Sequence, residues 1–159
     1  MKILLSGPPG TGKSHLGVWL QTHRDFTHLD MEDWPDYISK TSWEALHLED
    51  FSCELDSLSD NVVLSWGFPI CCFDRVKLLK SAGIVPVWLD APMLFCRRNW
   101  RPKPSQSVHD FARQMHALSE FAEELDGFYG NARILVATSE FEHASETMLA
   151  DQLIQIGRG

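Results

Sequence analysis

The sequence predicts an α/β fold: one parallel sheet with helices on both faces. Three observations carry this. Strand-like apolar runs alternate with helical periodicity from one end of the chain to the other. Most of those runs are continuously apolar, the mark of strands buried on both faces. The first run also passes through a glycine-rich turn directly into a helix, as a βαβ unit begins. With 159 residues, the chain suits one domain with a real core. Its apolar content of 44% and charged content of 23% are those of a globular protein. No stretch approaches the ~20 apolar residues of a membrane span, and the N-terminal run is too short for a signal core. The expectation is a cytoplasmic protein.

Lys2 to Ser6 (KILLS) reads as the first strand, followed by Gly-Pro-Pro-Gly. Leu16, Trp19 and Leu20 mark a helix from about Gly12 to Thr22. Phe26 to Leu29 reads as strand two, ending at Asp30. Residues 31–60 read as acidic and irregular, with a helix around Trp43 to Leu48. Asn61 to Ser65 is strand three, broken by Gly67-Phe68-Pro69. Phe73 to Ala82 is helical, and Gly83 is its stop. Ile84 to Leu89 is strand four, ending at Asp90, and Pro92 to Trp100 is a helix halted by Pro102 and Pro104. Ser107 and Asp110 resemble a capping signal for a helix to about Leu125. Ala132 to Ala137 is strand five, and a last helix runs from about Ala144 to Gln155. The segments 31–60 and 97–106 follow strands two and four, at the carboxyl edge where α/β sheets bind ligands.

The cysteines at 53, 71, 72 and 96 form no CxxC pair and have no histidine spacing for zinc. They read as buried, reduced thiols. A net charge of −8 argues against wrapping nucleic acid by charge alone.

The strongest motif is Gly7-Pro8-Pro9-Gly10-Thr11-Gly12-Lys13-Ser14, a full match to G-x-x-x-x-G-K-[ST] between a strand and a helix. Its glycines let backbone N–H groups turn toward phosphate oxygens, and the helix N-terminus adds partial positive charge. Lys13 is expected to reach the β- and γ-phosphates of ATP, and Ser14 to ligate Mg2+. The loop wording is similar to that of ring-forming ATPases. Those carry an apolar strand ending in Asp-Glu, which is missing here, as is the Asn-Lys-x-Asp of guanine-reading switches. Transfer to an acceptor therefore fits better than hydrolysis.

In layout the chain resembles the small P-loop kinases: the shikimate, gluconate, adenylate and related nucleotide kinases. That resemblance implies a three-layer P-loop NTPase fold with a five-stranded parallel sheet in the order 2-3-1-4-5. HLDMEDW after strand two looks like the shikimate-kinase Asp-x-Asp, with Asp30 implied to hold Mg2+ and Glu32 to orient the acceptor hydroxyl. Asp33 competes for the second role. LSWGFPI looks like the adenylate-kinase Asp-Gly-Phe-Pro-Arg, with Trp66 for the Asp and Ile70 for the Arg; Gly67, Phe68 and Pro69 remain. Trp66 is either a stacking platform for the acceptor or a core residue. FCRRNWRPKP falls where these kinases place a lid. Arg97 and Arg101 share a helix face there as catalytic arginines; Arg98 is the alternative, and Lys103 lies on the stiff segment beyond. Ala137 and Thr138 sit where the adenine is wrapped.

Residues 31–60 are expected to form the acceptor pocket and 96–106 the lid, within one domain spanning 1–159. Trp34, Tyr37 and Trp43 suggest a planar acceptor such as a nucleoside, nucleotide or modified pyrimidine. Lys40 is the sole cation of that stretch and Arg75 a further helper, so a hydroxyl acceptor is favoured. The chain also resembles small phage-encoded kinases, acting in the host cytoplasm on nucleotides or on hydroxymethylated pyrimidines in DNA. Further alternatives are a regulatory NTP-binding ATPase activated by a partner protein, and a monomeric or homodimeric state.

Overall fold

A computed structural model of the chain describes residues 1–33, 47–102 and 109–159. The readings placed on Trp34, Tyr37, Lys40, Trp43, Lys103 and Ser107 lie outside the described residues. The strands are β1 (Lys2–Ser6), β2 (Thr27–Asp30), β3 (Val62–Ser65), β4 (Val85–Asp90) and β5 (Arg133–Leu135). They form one parallel sheet in the order β2-β3-β1-β4-β5. The described helices are α1 (Lys13–His23), α2 (Leu48–Leu58), α3 (Phe73–Ser81), α4 (Met93–Asn99), α5 (Asp110–Glu120), α6 (Ala122–Tyr129) and α7 (Glu146–Arg158). A 3-10 turn, Ile70–Cys72, precedes α3.

The continuous apolar runs have a direct structural cause. Alternate residues of each central strand point to opposite faces, and both faces are covered. Ile3 and Leu5 of β1, with Val63, Val87 and Leu89, meet Leu16 and Leu20 of α1 and Leu149 and Leu153 of α7. Leu4, Val62, Leu64 and Trp88 meet Phe51 and Leu55 of α2, Val76 and Leu79 of α3, and Leu125 and Tyr129 of α6. No described helix is long and apolar enough to cross a membrane.

The structure changes several expectations. Part of the segment read as irregular is α2, whose Leu48, Phe51, Leu55 and Leu58 form an apolar stripe. The acidity that obscured it includes Glu49 and Asp50, which suit the positive N-terminal end of that helix. The helix expected to run to Leu125 is two helices, broken where Phe121 leaves helical geometry. Helix α4 ends at Asn99, so Arg97 and Arg101 do not share a helix face; Trp100 is extended and Pro102 disfavours helix at Arg101. Strand β5 is shorter than expected, because the chain folds back and Ala137 pairs with His143. The thiols are not buried as a class: Cys96 is, Cys72 is half-buried, and Cys53 and Cys71 are exposed. Gly83 does close α3, in left-handed geometry, with Ile84 N–H donating to Leu79 O at 3.1 Å.

Candidate active site

β1 ends at Ser6 beside both β3 and β4, where the strand order reverses and α/β sheets open a ligand crevice. The phosphate loop occupies this position. Gly12 precedes α1 in left-handed geometry and no side chain caps the helix, so the first-turn N–H groups stay open to an anion. Thr11 Oγ1 donates to Pro8 O at 2.9 Å. Lys13 is buried, and its Nζ donates to Gly7 O at 2.9 Å and Pro8 O at 2.8 Å. Burial pushes its pKa down to about 8, against the opposing pull of Glu32, Cys96 and Asp30. Gly10 has φ +83°, and a Cβ there would overlap the backbone carbonyl of Cys96 in α4. Helix α4 thus leans directly on the loop.

Ser14 Oγ donates to Asp30 Oδ2 at 2.6 Å. The pairing follows from the packing of α1 on β2, where the His28 ring occupies the space beside Gly17. His28 Nε2 lies 2.9 Å from Ser65 Oγ, and burial lowers the pKa of this imidazole. Past Asp30 the chain turns. Asp30 Oδ1 accepts from Glu32 N–H at 3.0 Å, and Glu32 Oε1 accepts from Gly67 N–H at 3.3 Å. Glu32 therefore points across the crevice toward the end of β3, close to Lys13. A hydroxyl and a carboxylate oxygen side by side are hard ligands, a donor set that fits Mg2+.

A cleft of about 1220 Å3 extends from the loop to α5. Trp66, Gly67, Phe68 and Pro69 line it, as does Glu32. Trp66 is both wall and core: it is 8% exposed and packs against Phe68 with ring centroids 5.6 Å apart. Ile70 and Cys71 continue this wall. Arg98, Asn99, Trp100 and Arg101 line the lid side. Arg101 Nη1 donates to the carbonyls of Arg98 (2.7 Å) and Trp100 (3.0 Å), closing the end of α4. The Arg98 guanidinium lies 5.2 Å from the Phe141 ring centroid.

Other expected site residues stand apart from the cleft. Arg97 and Asp33 are exposed and do not line it, and Arg75 is half-buried outside it, near the Cys72 thiol. Thr138 Oγ1 donates to Glu142 Oε2 at 3.0 Å within the β5–α7 connection, and Ala137 is buried. The loop side of the cleft is lined instead by His15, Phe95, Val136, His143, Ala144, Glu146 and Leu149. Arg113, Gln114, Ala117 and Leu118 of α5 were also missed. Their shared helix face, half polar and half apolar, was the available signal. Arg113 is paired with Asp110. Asp90 is a brace: Trp88 Nε1 donates to it at 2.9 Å, and Arg133 grips it through Nε and Nη2, both at 2.7 Å.

Several solved structures are similar over nearly the whole chain. Shikimate kinase from Acinetobacter baumannii in complex with shikimate shares 19% identity over 98% of this chain and 91% of its own, with a TM-score of 0.59. A tunicamycin resistance protein from Deinococcus radiodurans shares 18% identity over 99% and 96%, with a TM-score of 0.58. A gluconokinase from Sinorhizobium meliloti 1021 shares 12% identity over 99% and 91%, with a TM-score of 0.57. The likeness establishes the fold: a five-stranded parallel P-loop NTPase fold in the 2-3-1-4-5 order shared with shikimate kinases. No protein-family model matches the sequence, and no curated protein matches it.

Proposed function

We propose that the chain is an ATP-dependent phosphotransferase that moves the γ-phosphate onto a hydroxyl of a ring-bearing acceptor: a nucleoside, nucleotide or modified pyrimidine. The observation that carries this is the Ser14–Asp30 hydrogen bond at the phosphate loop; Ser14 and Glu32 line the cleft, and Asp30 stands behind Ser14 rather than in the cleft lining. Ser14 and Asp30 would hold Mg2+, which would supply positive charge to the phosphate oxygens. Lys13 exchanges its carbonyl partners for phosphate oxygens. Glu32, oriented by Gly67 N–H, accepts the proton of the acceptor hydroxyl. Trp66 and Phe68 face the acceptor ring. Arg113 lines the opposite wall, already paired with Asp110. Arg98 and Arg101 neutralise charge on the transferring group. Of the described residues after β2, Glu32 serves the acceptor, and Arg98 to Arg101 serve as the lid side of the cleft.

The test is transfer from γ-labelled ATP to a panel of nucleosides, nucleotides, shikimate, gluconate and hydroxymethylated DNA. One acceptor class should gain label. Asp30→Asn should lower kcat by about tenfold to a hundredfold; near-normal turnover would remove Asp30 from the mechanism. Hydrolysis of ATP only with a protein partner, and no labelled acceptor, would favour a regulatory ATPase instead.

A further inference from the structure

The roles above leave one polar pair in the cleft unused. His15 follows Ser14 in the first turn of α1, and Glu146 opens α7. His15 Nε2 lies 3.1 Å from Glu146 Oε1, and both residues line the cleft. The pair joins α1 to α7, which packs on α1 and on β4 and β5. Around this solvent-accessible pair the cleft is lined by Phe95, Val136, Ala144 and Leu149, with the imidazole of His143 as a further polar group close enough to act on Glu146. The contact with His15, followed by a backbone hydrogen bond, holds the Glu146 carboxyl below its usual range.

A carboxylate accepts hydrogen bonds and donates none. The contact with His15 engages Oε1, so the carboxylate keeps acceptor capacity for a donor on a ligand. A triphosphate with its terminal phosphate at Lys13 and Ser14 runs outward past His15, and Phe95, Val136 and Leu149 suit its base. Between phosphates and base lies the sugar, whose hydroxyls are donors. We propose that Glu146 accepts a hydrogen bond from the ribose 2′-hydroxyl of the donor nucleotide, and that His15 is the positioning residue that holds this carboxylate. The site then selects ribonucleotides over 2′-deoxyribonucleotides. This rests on the loop being the donor-nucleotide site.

Calorimetric titration of the full chain with ATP and with 2′-deoxy-ATP, both with Mg2+, tests it. The wild-type protein should bind ATP about tenfold tighter, the size of one hydrogen bond to a charged group. Glu146→Ala should bring ATP to the affinity of 2′-deoxy-ATP and leave the latter within about twofold. Glu146→Gln, which keeps shape and loses charge, should retain a smaller gap, and His15→Ala should narrow it. Equal wild-type affinities, or an undiminished gap in Glu146→Ala, overturns this assignment alone. Failure of both nucleotides to bind overturns the donor-site reading and this inference together.

Discussion

Burial of the Lys13 ammonium acts in opposite directions on the empty fold and on nucleotide binding. Its pKa falls from 10.5 to about 8 because desolvation outweighs Glu32, Cys96 and Asp30. Below pH 8 both folded and unfolded chains carry the proton, and folding bears the full desolvation cost. Between pH 8 and 10.5 the unfolded chain still binds the proton and the folded one does not, so stability rises with pH. The charged lysine is the form that binds phosphate, so ATP affinity should fall through the same interval. Denaturant melts and ATP titrations at pH 7 and 9, each with Lys13→Met as reference, should show both trends. An affinity independent of pH would mean that Lys13 does not bind the nucleotide. Trp66 allows a comparable separation. Its ring is 8% exposed and also lines the cleft. Trp66→Ala should cost about 3–5 kcal/mol of stability and raise the acceptor KM while leaving the ATP KM unchanged. A lower melting temperature with no KM effect would make Trp66 a core residue alone.

Contact between α4 and the phosphate loop ties lid geometry to the loop. Gly10→Ala would place a methyl against the Cys96 carbonyl at a backbone φ of +83°. Both neighbours are backbone, so no side chain can rotate away. A loss of about 2–3 kcal/mol is expected, seen as a melting temperature lower by about 4–12 °C, with weaker ATP binding. An unchanged melting temperature would show that α4 can lift without cost. The loop, the five strands and the carboxylates after β2 were legible in the sequence because each is a local pattern: a fixed spacing, an apolar run or a turn. Helix α2 was hidden by its acidic exposed face, although Phe51 and Leu55 sit at helical spacing. Arg113, Gln114 and Glu146 were not legible because nothing local distinguishes them from solvent-facing helix residues. They reach the cleft only because α5 and α7 pack where they do.

At the scale of the whole molecule, charge distinguishes a free acceptor from one embedded in a polynucleotide. The net charge of −8 sets a repulsive long-range field for any polyanion, while three arginines, Arg98, Arg101 and Arg113, line the cleft. A duplex engaging all three would release about three counterions, so its affinity would drop about 40-fold between 50 and 200 mM salt. A nucleoside acceptor has no such release, and a nucleotide with one phosphate has a fraction of it. At saturating ATP, kcat/KM for the free acceptor should therefore change by less than about fourfold over that range. A steep loss, with label recovered in DNA, would transfer the acceptor from metabolite to polynucleotide while leaving the donor half of the site as described. The measurement thus separates the two halves of the cleft: salt sensitivity belongs to the arginine wall, and the Ser14–Asp30 centre is common to both outcomes.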